Sequence, residues 1–108
     1  MIEALTPTAL RDWLADDSRT PPFLLDVREP WEFEHCRIAQ AQLLPLQEIP
    51  QRWTELPQDQ AIVVICHHGL RSQHAAEFLQ NAGLPRLYNL SGGIDAWATQ
   101  VEPAMPRY

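Results

Sequence analysis

Apolar positions along this chain change spacing from segment to segment, and the changes order the secondary structure. Leu10, Trp13 and Leu14 recur at helical intervals behind Thr6-Pro7, which predicts a helix with Thr6 as N-cap and Pro7 in the first turn. Phe23-Leu24-Leu25 is a short apolar run ending at Asp26-Val27-Arg28, read as a buried strand after the turn-like 16–22 stretch. Pro30 opens a brief helical segment to His35, and Gln42 to Leu46 reads as a second core strand. Ile49, Trp53 and Leu56 share one helical face, from a start near Pro50 to an end before Pro57. Ala61 to Ile65 is apolar at every position, as a strand covered on both faces should be. Ala75, Phe78, Leu79 and Ala82 form a helical stripe that stops at Gly83. Leu87 to Leu90 predicts another strand, and after Gly92-Gly93 the stripe Ile94, Trp97, Ala98, Val101 predicts a last helix.

Strands thus alternate with helices, and the connections are too long for hairpins. The pattern predicts an α/β fold with a mainly parallel sheet flanked by helices on both faces. Ligands in such sheets bind beyond the carboxyl ends of the strands, so Asp26–Arg28, Cys66–Ser72 and Ser91–Gly93 should converge on one edge. The 108 residues suffice for one domain with its own core. No repeat or low-complexity tract interrupts them, and the tail, about 102–108, reads as irregular.

Composition mostly narrows the field. With 45% hydrophobic and 20% charged residues the chain has an ordinary globular make-up. Its net charge is -6 and all eight basic residues are arginines, without a basic cluster, which argues against nucleic acid as a partner. No apolar run approaches the ~18 residues of a membrane span, and no signal peptide is visible, so a cytoplasmic location without membrane association is expected. In that reducing setting Cys36 and Cys66 are expected as free thiols, too few and too poorly spaced for a structural zinc site.

The chemistry concentrates in Cys66-His67-His68-Gly69-Leu70-Arg71-Ser72. Cys66 stands at the carboxyl end of the most apolar strand and in front of a helix N-terminus, where unpaired N–H groups and the helix dipole favour an anion. A thiol so placed tends toward thiolate, the nucleophilic form. Gly69 permits the tight turn, Ser72 is placed to cap the following helix, and the loop N–H groups form an anion cradle. Spacing separates two uses. Tyrosine and dual-specificity phosphatases require Cys-x5-Arg; here Arg71 gives Cys-x4-Arg, a ring one residue short for tetrahedral phosphate. Phosphate or arsenate chemistry is the disfavoured alternative.

Three motifs in order, Leu25-Asp26-Val27-Arg28-Glu29 with Trp31-Glu32-Phe33, the loop Cys66–Ser72, and Asn89-Leu90-Ser91-Gly92-Gly93-Ile94-Asp95-Ala96-Trp97, resemble the single-domain rhodanese-like sulfurtransferases over nearly all of the chain. The resemblance implies a rhodanese-like sheet of about five strands in a single domain, residues 1–108. It also implies a sulfurtransferase of the thiosulfate type. Cys66 would take a sulfane sulfur from a donor such as thiosulfate as a persulfide and pass it to cyanide, a small thiol or a protein thiol. No metal or other cofactor is implied. A persulfide carrier or partner-binding module without turnover is the alternative on the same fold.

The resemblance makes His67, His68, Gly69, Leu70, Arg71 and Ser72 the substrate-binding set and Asp26 with Arg28 the pocket support. Alternatives stay open within it. His67 and His68 either contact an anionic donor or are solvated loop residues; many rhodaneses carry arginine or lysine in this loop, so histidine at both places suggests a different donor preference. Arg71 either meets the donor or pairs with an acid such as Glu29. Arg28 either pairs with Asp26 or meets an anionic substrate. Cys36 occupies a stretch that departs from the family pattern, and a packed cysteine is favoured there over a relay thiol. Trp97 is assigned to the core.

Overall fold

The computed structural model describes residues 2–108. Ile62–Ile65 (β4) is buried at every position, as its Ile-Val-Val-Ile sequence requires. Phe23–Asp26 (β2) and Leu87–Leu90 (β5) flank it, and Gln42–Leu43 (β3) and Ile2–Leu5 (β1) form the edges. The five strands make one sheet in the order β1-β5-β4-β2-β3, parallel at every pairing. Successive β4 side chains point to opposite faces. Val63 and Ile65 pack with Leu10 and Trp13 of Pro7–Ala15 (α1) and with Ile94, Trp97 and Ala98 of Gly93–Gln100 (α5). Ile62, Val64 and Cys66 pack on the other face against Ala75, Ala76 and Leu79 of the helix Leu70–Ala82 and against Ile49. Helices therefore cover both faces, and Trp97 is a core residue. Among the described residues no helix is long and apolar enough to cross a membrane.

Helix boundaries follow local chemistry. The Thr6 side chain accepts the Ala9 N–H at 3.2 Å, and Pro7 fills the first turn of α1. Pro30–His35 (α2) begins with a reciprocal capping box between Glu29 and Glu32. Ile49–Arg52 (α3) spans barely one α-turn before the chain tightens to 3-10 geometry at Trp53–Glu55, shorter than the stripe Ile49-Trp53-Leu56 predicts. At the end of Leu70–Ala82 (α4), Leu84 N–H reaches the Leu79 carbonyl (3.1 Å) and Gly83 N–H the Gln80 carbonyl (3.0 Å), a Schellman closure with Gly83 at φ 107°.

The edge strand β1 is an element the apolar spacing does not predict; it runs parallel to β5 with Ile2 opposite Leu87 and Leu5 opposite Leu90. Two expectations need correction. The strand predicted over Gln42 to Leu46 shrinks to Gln42–Leu43, because Pro45 has no N–H to continue the ladder and the chain turns into a 3-10 helix at Leu46–Glu48. Ser72 does not cap α4: Gly69, at φ 107°, holds the N-cap position and Ser72 lies within the first turn. The tail beyond α5 has no regular element, yet it is tied down. Trp97 Nε1 donates to Glu102 Oε1 at 2.9 Å, Met105 is buried, and the chain returns to the carboxyl edge of the sheet at Tyr108.

Candidate active site

β4 delivers Cys66 to the carboxyl edge of the sheet, 1% exposed, with the loop 67–69 curling over it before α4 begins. Gly69 N–H donates to Cys66 Sγ at 3.0 Å. Ser72 Oγ lies 3.3 Å from the same sulfur and donates its hydrogen to Asn89 Oδ1 at 2.5 Å. With that hydrogen committed, the protonated thiol donates to Ser72; a thiolate is met by the Gly69 N–H at the mouth of α4. Asn89, on β5, also donates from Nδ2 to the Gly69 carbonyl and to Gln73 Oε1, both at 3.1 Å, so it fixes both ends of the turn.

The loop curls this way because α5 takes up its carbonyls. Ile94 N–H donates to the Cys66 carbonyl (2.8 Å) and Asp95 N–H to the His67 carbonyl (3.1 Å). A Cβ on Gly93, which has φ 63°, would overlap both of those carbonyl oxygens, so only glycine lets α5 approach. With those carbonyls taken up by α5, the turn leaves the Gly69 N–H for the sulfur.

Asp26 and Arg28 form a fully buried pair, Nε to Oδ1 at 2.8 Å and Nη2 to Oδ2 at 2.7 Å. The remaining Arg28 hydrogens go to the Cys36 carbonyl (2.7 Å), the Glu32 carbonyl (3.2 Å) and the Tyr108 hydroxyl (3.1 Å). Burial works against the Arg28 charge, but Asp26 and Tyr108 outweigh it and hold the guanidinium protonated. Arg28 is thus structural: it has no exposed surface with which to meet a substrate. Cys36 is buried, its Sγ 3.9 Å from Arg28 Nη1, in the packed role expected for it. Both cysteines are free.

Arg71 does pair with an acid, but the acid is Glu32 and not Glu29. Its two terminal nitrogens bond the two carboxylate oxygens at 2.7 and 2.8 Å. Arg71, with burial opposing, lowers the Glu32 carboxyl to about 2, and the bonds from Glu29 N–H and Tyr108 reinforce the shift. The Tyr108 hydroxyl donates to Glu32 Oε2 at 2.7 Å while accepting from Arg28, and burial leads in raising its own pKa to about 12.

The two loop histidines stack on each other, centroids 4.0 Å apart and planes 19° apart, and His67 stacks on Tyr108 at 4.0 Å and 13°. Burial first, and His68 second, lower the His67 pKa, so its ring is neutral at pH 7. His68 Nε2 stands 3.7 Å from Asp95 Oδ2, while Arg107 holds Asp95 Oδ1 at 2.8 and 3.0 Å. His67, His68 and Asp95 bring three potential ligand atoms within 4.8 Å of one another. Near-parallel rings aim their in-plane lone pairs side by side, however, and Arg107 already neutralises the carboxylate. Leu70, next to Gly69, is 70% exposed, and Trp31, 61% exposed, meets Tyr108 in a T-shaped contact.

All the singled-out residues therefore gather at one end of the sheet: Cys66, Gly69 and Ser72 around the sulfur, Arg71 over Glu32, the histidines under the tail, and Asp26–Arg28 beneath. Three further members are not assigned to the site by the sequence, although Glu32 and Asn89 stand within the quoted motifs. Glu32 was signalled by its place three residues after Glu29 in a capping-box pattern, and Asn89 by a polar residue inside a strand. Tyr108, in an irregular tail, carried no signal.

Comparison with known proteins agrees with this geometry. The model of the Rhodanese-like domain matches residues 6–100. The chain is 42% identical over 96% of its length to the probable adenylyltransferase/sulfurtransferase MoeZ of Mycobacterium tuberculosis, of which it spans only 26%. It is 38% identical to a sulfurtransferase of Allochromatium vinosum, covering 91% of this chain and 90% of that one. The crystal structure of a rhodanese-related protein from Thermoplasma volcanium superimposes with a TM-score of 0.82 at 33% identity, over 94% of this chain and 95% of the other. On the fold, the three motifs and these relatives together, the chain belongs to the rhodanese-like sulfurtransferase family.

Proposed function

We propose that the protein transfers sulfane sulfur through a persulfide on Cys66. In the first step the Cys66 thiolate attacks the outer sulfur of the donor. A new S–S bond forms on Sγ, the donor's own bond to that sulfur breaks, and the residue of the donor leaves with the electron pair, as sulfite if thiosulfate is the donor. In the second step an acceptor thiolate or cyanide attacks the outer sulfur and Cys66 leaves as thiolate. Splitting the transfer in two avoids a direct encounter between donor and acceptor. The observation that carries this reading is the Gly69 N–H, 3.0 Å from Cys66 Sγ, in a ring closed as Cys-x4-Arg. Such donors stabilise the negative charge that moves between the inner and outer sulfur. Free thiols at both cysteines fit a reducing compartment such as the cytoplasm.

The test is intact mass after incubation with thiosulfate. One sulfur atom is gained, cyanide or a reductant removes it, and Cys66→Ser does not acquire it. An unchanged mass with every sulfane donor tried would sink the proposal, and an adduct lost in Cys36→Ser but kept in Cys66→Ser would move the nucleophile.

A further inference from the structure

Arginine supplies every basic side chain of this protein other than histidine. Three arginines touch residues of the candidate site, and each ends on a carboxylate of its own: Arg28 on Asp26, Arg71 on Glu32 and Arg107 on Asp95. Arg71, the family-motif arginine of the loop, has both terminal nitrogens engaged by Glu32. His67 does not replace the missing charge. His67 is stacked between His68 and Tyr108, and its neighbours Asp95 and Glu32 are already paired with arginine. What the sulfur meets is therefore the Gly69 N–H and the Ser72 hydroxyl, in a mouth whose arginines are each paired with a carboxylate.

The two donor classes put very different charge into this mouth. Thiosulfate brings a dianion up to the Cys66 thiolate, and the three negative charges persist through the step, one on the persulfide and two on the departing sulfite. An organic hydropersulfide, R–S–SH, adds no charge in its electrophilic form. Cys66 thiolate bonds to its outer sulfur, the S–S bond between the outer and inner sulfurs breaks, RS⁻ leaves with the pair, and the proton stays on the transferred sulfur. Building on the Cys66 persulfide reading, we infer that the site is suited to hydropersulfide donors of low charge and handles thiosulfate poorly, because each arginine at the mouth is neutralised by its own carboxylate.

The experiment follows the rate of Cys66 persulfide formation by intact mass, with sodium thiosulfate and with freshly prepared cysteine persulfide. Wild type loads faster from cysteine persulfide, and its thiosulfate rate rises as salt goes from about 0.02 to 0.3 M, because screening relieves anion repulsion. His68 is two-thirds exposed, and His68→Arg adds a permanent cation at the rim. It raises the ratio of the thiosulfate rate to the persulfide rate about fivefold, the size expected for one screened charge near a dianion. Glu32→Gln, which releases Arg71, shifts the ratio in the same direction. The inference is overturned if thiosulfate loads as fast as the persulfide in wild type, or if both variants leave the ratio unmoved. Loading from neither donor instead removes the Cys66 reading on which the inference rests.

Discussion

Tyr108→Phe isolates one hydroxyl that joins two charged pairs. In the wild type this group donates to Glu32 Oε2 at 2.7 Å and accepts from Arg28 Nη1 at 3.1 Å. A hydrogen bond to a charged partner contributes about 1.5–3 kcal/mol. The two do not simply add, since Glu32 keeps both Arg71 bonds and Arg28 Nη1 keeps the Glu32 carbonyl at 3.2 Å. Neither charge is orphaned, so the loss is about 2 kcal/mol, or a fall in Tm on the order of 10 °C for a domain of this size. Urea unfolding followed by tryptophan fluorescence should show a lower midpoint with an unchanged slope. Tyr108→Ala additionally removes the stack on His67 and the edge contacts with Trp31 and His35. It should cost about 1–3 kcal/mol more, as these three aromatic contacts are lost. Equal stability of Tyr108→Phe and wild type within about 0.5 kcal/mol would refute the reasoning, because the hydroxyl would then be no more than a solvated group beside two self-sufficient pairs.

Other outcomes follow from the same geometry. Gly93→Ala places a methyl against the carbonyl oxygens of Cys66 and His67 at φ 63°; it should cost at least about 2 kcal/mol and slow persulfide loading, read by urea unfolding and intact mass on the same sample. Acid sensitivity should trace to Glu32. Its folded pKa, about 2, lies below the unfolded value near 4.5, so its contribution is fully present above that value and drains away as pH falls from about 4.5 toward 2. An acid-unfolding curve for Glu32→Gln that keeps the full wild-type slope in this window would contradict that assignment.

What the sequence disclosed and what it withheld differ in range. The parallel α/β order and the placement of Cys66 rest on local signals: the Ala61 to Ile65 run, Gly69, and the stripe from Ala75 to Ala82. Each is dictated by residues a few positions apart. β1 is not legible locally, because Ile-Glu-Ala-Leu has no strand pattern of its own and is extended by pairing with β5, far along the chain. β3 is shorter than its apolar run, because Pro45 lacks the donor that Leu44 and Leu46 would need to continue the ladder. The identity of the acid facing Arg71 also depends on distance in space. Glu29 and Glu32 share one short helix start, and only the packing of α2 against the loop selects Glu32. Tyr108 lay furthest from reach, since its partners Arg28 and Glu32 are separated from it by most of the sequence.

The bonds from Ile94 and Asp95 to the loop carbonyls have a consequence for how the protein comes into being. Glu32, which holds Arg71, precedes Cys66, but Asn89, the start of α5 and Tyr108, which shape the turn itself, all lie downstream of it. During synthesis the thiol leaves the ribosome before the parts that shape its surroundings, so its reactivity is conferred late, by long-range closure. A chain lacking those parts has Cys66 without the Gly69 turn that Asn89 and α5 hold, so sulfur transfer through the persulfide proposed for Cys66 requires the completed fold.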